Sequence, residues 1–252
     1  MNHLANQISR LLVTSAALLL TSCAARAPVA QVAATPIAAH RATPWFDSQS
    51  LRLAALLPTV PDATATRGEL DQMLRQQAQR SADDCRKAAQ DVAKDLSRFT
   101  AVLATDLSDN DPRLQATARL LGEMRELQES VTSKLKDQTN RPRPYQREAA
   151  IVPCIQRPTS FAYPSGHAAF GMAAALLLAD MVPERRAELL ARGHEYGMQR
   201  VIGGVHFPSD VAAGRTSGIL IAAFLLASPN YRQDAALART GLRAALGLPA
   251  AK

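Results

Sequence analysis

Aromatic side chains are scarce in this 252-residue chain, at 4%, with a single Trp, and β-branched patterning is sparse. Ala and Leu dominate instead, a composition that favours helices over sheets. Histidine and cysteine are also few, five and three respectively, against 29 Lys and Arg. A metal centre would want more neutral His, Cys or carboxylate ligands and fewer competing cations, so no metal site and no cofactor box is expected. The formal charge is +7, yet no run of five or more Lys/Arg occurs, which argues against nucleic acid as a main partner. No mature segment reaches the roughly 20 apolar residues that a membrane span requires. The most apolar stretches, Ala168–Val182 and Ser217–Ala227, therefore read as buried core helices. No internal repeat is evident, and the length suits one large core or two small domains.

Residues 1–23 read as an export signal, with Arg10 as positive flank, Leu11 to Leu20 as apolar core, and Leu20-Thr-Ser-Cys23 similar to a bacterial lipobox. In that reading Cys23 is lipidated, the chain touches a membrane by its lipid anchor only, and Ala24 permits transfer to the outer membrane, facing the periplasm. An ordinary cleaved secretory signal is the alternative. Residues 24–56 form an Ala-, Pro- and Thr-rich tether and 57–252 the folded domain, with extended chain expected to about residue 68. Trp45-Phe46 is expected to pin the tether on the core.

Leu70, Leu74, Cys85, Ala88, Val92, Leu96, Phe99 and Leu103 fall at helical spacing, as one long helix or two with a break near Ser81. Asp109-Asn-Asp-Pro112 signals a turn and N-cap. Leu114, Ala118, Leu121, Met124, Leu127, Val131 and Leu135 make a second stripe that runs into Lys136. Loop follows Tyr145 to Phe161, then helices over 168–182 and Pro183 to Gln199, and a last helix from Asn230. Cys85 and Cys154 either pair as a disulfide, which an exported chain permits, or remain two separate thiols.

Three stretches carry chemistry. Arg200-Val-Ile-Gly-Gly-Val-His206-Phe-Pro-Ser-Asp210 sets a cation, a histidine and a carboxylate at fixed offsets. Pro208 suits a first helical position, and Asp210 can fix the His206 tautomer and leave the other ring nitrogen as a nucleophile. Gly203 and Gly204 would let the backbone approach a ligand closely. Tyr163-Pro-Ser165-Gly166-His167 precedes an apolar helix, whose N-terminus favours an anion. Lys136-Asp-Gln-Thr-Asn-Arg-Pro-Arg143-Pro144-Tyr145 adds further cations beside a stiff turn. Three cations, neutral donors at Ser165 and Gly166, two histidines and one carboxylate suit a tetrahedral oxyanion under attack.

In that order, Lys-x6-Arg-Pro, Pro-Ser-Gly-His and Arg-x5-His-x3-Asp, the motifs resemble those of the type 2 phosphatidic acid phosphatase superfamily, whose site the vanadium haloperoxidases share. The exported form and the Arg-Pro-Arg-Pro run are most similar to the bacterial class A non-specific acid phosphatases. The motifs span 136–210, and looser similarity runs from about Leu57 to Leu226. One departure is Gln199, where that family usually has Ser. The resemblance implies an all-α, single bundle-like domain with the phosphate site at helix ends. It implies metal-independent hydrolysis of phosphomonoesters of broad range through a covalent phosphohistidine. In that scheme His206 attacks, Asp210 orients it, His167 acts as acid then base, and Lys136, Arg143, Ser165, Gly166 and Arg200 hold the phosphoryl oxygens. Lys134 before Arg141-Pro142 offers a second register, set aside because the family's second arginine carries the motif. A lipid or lipid A phosphatase with the same residues is the alternative, and a vanadium-dependent haloperoxidase a remoter one. Whether the chain forms a homo-oligomer is left open.

Overall fold

In the computed structural model the described residues are 45, 52–105, 107 and 111–250. The chain divides into units Met1–Ala38 and Ala39–Lys252, and every described residue falls in the second. The expected signal, Cys23 and most of the tether lie outside the described residues.

The fold is all-α, as the composition indicates, with no strand among the described residues. Helix α1 (Leu53–Leu56) is one turn, and α2 (Ala63–Gln79) and α3 (Ala82–Gln90) follow it. A 3₁₀ turn (Leu96–Phe99) leads into the short α4 (Thr100–Leu103), then the long α5 (Gln115–Thr139) and the one-turn α6 (Pro144–Arg147). The rest is α7 (Gly166–Met181), a 3₁₀ turn (Pro183–Arg185), α8 (Arg186–Ile202), α9 (Pro208–Ala227) and α10 (Pro229–Ala245).

The break near Ser81 is real: Ser81 and Asp84 cap each other reciprocally at the start of α3. The stripe breaks again after Gln90, so Val92 leaves the inward face and is 38% exposed. Structure also begins earlier than expected. Asp62 accepts the Ala65 amide at 2.8 Å and starts α2 within the stretch read as extended. Leu53 is buried ahead of residue 57, and Trp45 stacks edge-on against Tyr231 at 5.3 Å while donating to Asp234. The N-cap expected in 109–112 does not hold: α5 starts after Leu114, which has no capping side chain, and Asp111 instead accepts the Arg113 amide. Helix α8 runs past Gln199 to Ile202 and so carries Arg200. Helix α9 extends the apolar run back to Pro208. At 20 residues it is long and apolar enough to cross a membrane, but half of its apolar window is buried within this domain.

Helix α7 is the axis. Its Ala and Phe residues and all but one of its Leu (Leu176) are buried, and it packs chiefly against α8 and α9, while α5 packs against α10. Small residues bring these helices together. A Cβ at Gly193 would sit 2.6 Å from the Ala175 Cβ, and one at Gly214 would sit 2.3 Å from the Ser165 carbonyl oxygen. Because that oxygen is backbone, it yields only if α9 moves off α7. Gly214→Ala is therefore expected to cost about 1–3 kcal/mol in chemical denaturation; unchanged stability would refute the close packing of α7 on α9. Cys85 on α3 and Cys154 are joined in a disulfide across a sequence separation of 69. A loop of that length constrains the unfolded chain by ~4 kcal/mol in the entropic account, and here it ties the 148–165 loop to α3.

Candidate active site

The N-terminal ends of α7 and α9 meet, with the Ser165 amide donating to the Asp210 carbonyl at 2.9 Å. Beside them is a cavity of about 220 Å³ whose lining includes Lys136, Arg143, Gly166, His167 and His206. Side chains the sequence reading did not single out complete the wall: Lys94, Glu129, Thr132, Ser133, Pro158 and Ser160.

His206 is buried, with Nδ1 3.2 Å from Asp210 Oδ2 and Nε2 2.8 Å from Arg143 Nη1. A guanidinium can only donate, so Nε2 holds the lone pair and Nδ1 the proton that Asp210 accepts. Burial and the cations Arg143, Lys136 and Arg200 hold the His206 pKa well below its usual value, which keeps the ring neutral. Asp210 is fully buried; it also accepts the Phe207 amide at 2.9 Å and Arg141 Nη1 at 2.6 Å. Burial pushes its carboxyl up, and the Arg141 charge opposes that shift.

The Arg143 guanidinium is aimed by the Ser160 carbonyl (2.8 Å), the Ser160 hydroxyl (3.1 Å) and the Val205 carbonyl (2.8 Å). Lys136, in the last turn of α5, donates to the carbonyls of Phe161 (2.6 Å) and Ala162 (3.2 Å). Burial and then Arg143 bring its pKa down to about 7. Lys134 is exposed, on the other side of the helix. Arg200 is 2% exposed, and its Nε and Nη1 have no hydrogen-bond partner in the protein. Even so buried, its pKa is lowered only to about 10.

His167 reaches across the cavity, where Nε2 lies 3.1 Å from the Val92 carbonyl. Since a carbonyl only accepts, Nε2 carries a proton. Burial, Arg200 and Lys94 lower the ring's pKa well below the usual value, so an anion in the cavity is what would restore the second proton. Tyr196 donates to the neighbouring Ala93 carbonyl and Arg192 pairs with Asp91, holding the 91–95 segment over the site.

Arg200, expected as a ligand, is not among the residues that line the cavity, and two further expected contacts differ. Ser165 is fully buried, and its Oγ accepts the Ala168 amide at 3.4 Å as the cap of α7, behind the cavity wall instead of in it. Gly203 and Gly204 serve the protein's own packing. A Cβ at Gly203 would meet Ile155 at 2.4 Å, and Gly204 has φ +78°, in the left-handed region that glycine tolerates. Gln199, the departure noted above, is buried in the wall of a separate groove with Asp91 and Arg192, and not in the cavity.

Residues 119–234 match the PAP2 superfamily. The chain is similar to that superfamily over this stretch. All three motifs lie inside it. The non-specific acid phosphatase of Salmonella typhimurium (strain LT2) is 46% identical over 80 residues, 32% of each chain. The acid phosphatase of Zymomonas mobilis is 40% identical over 83 residues, 33% of this chain and 31% of that one. The matched stretch thus spans about a third of the length of these curated relatives. Among solved structures, the first bacterial vanadium-dependent iodoperoxidase superposes with a TM-score of 0.53 over 68% of this chain and 51% of that one. At 14% identity that likeness shows the fold alone. Within the matched stretch, the signal for Arg141 is present in the sequence as the alternative register. Lys94, Glu129 and Ser160 sit in segments with no motif around them.

Proposed function

We propose that the protein is an acid phosphatase that hydrolyses phosphomonoesters through a phosphohistidine at His206. The observation that carries this reading is the charge balance around His206. Arg143, Lys136 and Arg200 are all buried there, and Arg200 Nε and Nη1 lack protein partners, while the buried Asp210 carboxylate beside His206 is already bonded by Arg141. Such a site favours an oxyanion whose charge spreads further in the transition state.

In the first half-reaction the Nε2 lone pair attacks phosphorus and the ester P–O bond breaks. The leaving oxygen takes a proton from His167, and Asp210 stabilises the imidazolium that forms. The Arg143 N–H that holds Nε2 moves to a phosphoryl oxygen. Water then attacks the phosphohistidine, giving its proton to His167, and inorganic phosphate leaves. The cations supply the compensation that a metal would otherwise bring, and this supports metal-independent turnover.

Thr132, Ser133, Ser160 and the Lys94–Glu129 ion pair (2.5 Å) line the cavity beside Pro158. That lining favours a polar leaving group such as a polyol or sugar over an acyl-lipid one. The disulfide supports a site of action outside the cytoplasm, in keeping with export and attachment through Cys23.

The test is a panel of polyol, sugar and lipid phosphomonoesters, each assayed with and without chelator and with vanadate. Turnover of the polar esters, unaffected by chelator and blocked by vanadate, is the expected result. Activity lost to chelator and restored by a divalent ion, or confined to lipid phosphate, would sink the reading.

The pH profile follows from Lys136. Its folded pKa is lowered to about 7, so the cation is complete in acid and is lost as pH rises through that value. For kcat/KM measured between about pH 4 and 9, the alkaline limb should fall near neutrality in the wild type. Lys136→Arg should move that limb upward, because a guanidinium stays charged. An unmoved limb would assign it to another group.

A further inference from the structure

Helix α9, which carries Asp210, begins with a poor cap. Phe207 at the N-cap position has no side-chain acceptor, and Pro208 has no N–H to satisfy. Asp210 reaches back to the Phe207 amide, and the next free donor, the Ser209 amide, is taken from outside the helix. Glu69 on α2, 140 residues earlier, accepts it at 2.6 Å through Oε1. The other oxygen of Glu69 accepts the Ser209 hydroxyl and Arg141 Nη2, each at 2.8 Å. Arg141 Nη1 donates in turn to Asp210 Oδ1 at 2.6 Å and to Ser209 Oγ at 2.7 Å, with the guanidinium 4.0 Å above the Phe207 ring. Arg141 is 4% exposed, and neither it nor Glu69 lines the cavity.

We propose that Glu69 is a positioning residue for the phosphatase reaction, an inference that rests on the functional reading above. It acts in two ways. By holding both polar groups of Ser209 it fixes the first turn of α9, and so the register of Asp210 against His206. By sharing Arg141 between two carboxylates it leaves Asp210 a stronger acceptor for the His206 Nδ1 proton. With Glu69 neutral, the Arg141 charge falls on Asp210 alone, and the imidazolium formed during phosphoryl transfer is less well stabilised. Since Glu69 touches no part of the cavity, its loss acts on the chemical step and not on substrate binding.

The experiment compares full-length wild type, Glu69→Gln, Glu69→Asp and Ser209→Ala, read as kcat, KM, vanadate inhibition and Tm on the same polar ester. Glu69→Gln should lose kcat by about 10²-fold with KM and vanadate inhibition within about threefold, the scale of a small misplacement at a reacting centre. Glu69→Asp keeps the charge and should recover at least about fivefold of that kcat. Ser209→Ala removes one hydroxyl and no charge; it carries the test if Glu69→Gln fails to fold, with about a fivefold fall in kcat at unchanged KM. A near-wild-type kcat in Glu69→Gln, no recovery in Glu69→Asp, a loss confined to KM, or an unaffected Ser209→Ala each overturns the inference. A wild type inactive on every ester overturns the functional reading itself; an active wild type with indifferent variants overturns only this inference.

Discussion

Replacing His206 with alanine should all but abolish turnover, lowering kcat on the order of 10⁴–10⁶-fold, the scale seen when a covalent nucleophile is removed. The geometry gives the reason. His206 is the residue whose Nε2 lone pair is set by its partners, with the Nδ1 proton fixed on Asp210 at 3.2 Å and an Arg143 donor on Nε2 at 2.8 Å. No other ring in the cavity is so placed, since His167 presents its Nε2 proton to the Val92 carbonyl. The variant should still bind vanadate, because the cations of the pocket remain. Quenching the wild type during turnover of labelled substrate should leave the label on His206. Label on His167, or an alanine variant within tenfold of wild type, would reverse the assignment of the two histidines.

The motif residues Lys136, Arg143, Gly166, His167 and His206, which line one cavity, were legible because the proposed phosphoryl chemistry requires particular side chains at particular offsets. The Arg200–Asp210 stretch is short enough that its own turn assembles it: the Arg200 carbonyl accepts the amides of Val205 and His206 at 3.1 and 3.3 Å. The helical class was legible from Ala- and Leu-rich periodicity, while the stripe alone left open whether the chain breaks at Ser81, which the Ser81–Asp84 cap decides. What could not be read is what arrives from a distance. Glu69 lies on the partly exposed face of a helix whose stripe points elsewhere, and nothing within α2 shows that its carboxylate caps α9. Lys94 and Val92 belong to a stretch that continues a helical pattern, yet the chain leaves the helix after Gln90 and puts a carbonyl on His167. Ser165 presents the opposite case. Its local chemistry, a hydroxyl before a helix, served the helix itself. The glycines before His206 likewise answer to Ile155 and Pro153, neighbours some fifty residues earlier.

Lys136 and Lys134 provide the second large effect, because two residues on a helix differ by about 200° of rotation and cannot both face one site. Lys136 lies in the cavity wall with its ammonium on two carbonyls. Lys134 is exposed on the outer face of α5. Lys136→Ala should therefore lower kcat/KM by about 2–4 kcal/mol of transition-state stabilisation, the range for one preorganised electrostatic contact. Lys134→Ala should stay within a factor of about three, as surface substitutions do. The alternative register would exchange these penalties and would bring Arg141 to the phosphate in place of Arg143. The structure makes that exchange costly, since Arg141 is held by Glu69, Ser209 and Asp210, whereas Arg143 has its Nη1 on His206 Nε2. A matched pair, Arg141→Lys and Arg143→Lys, separates the roles. Arg143→Lys should raise KM and weaken vanadate inhibition, while Arg141→Lys should depress kcat and leave vanadate binding near wild type. Vanadate binding lost in Arg141→Lys and kept in Arg143→Lys would show that the register is the other one.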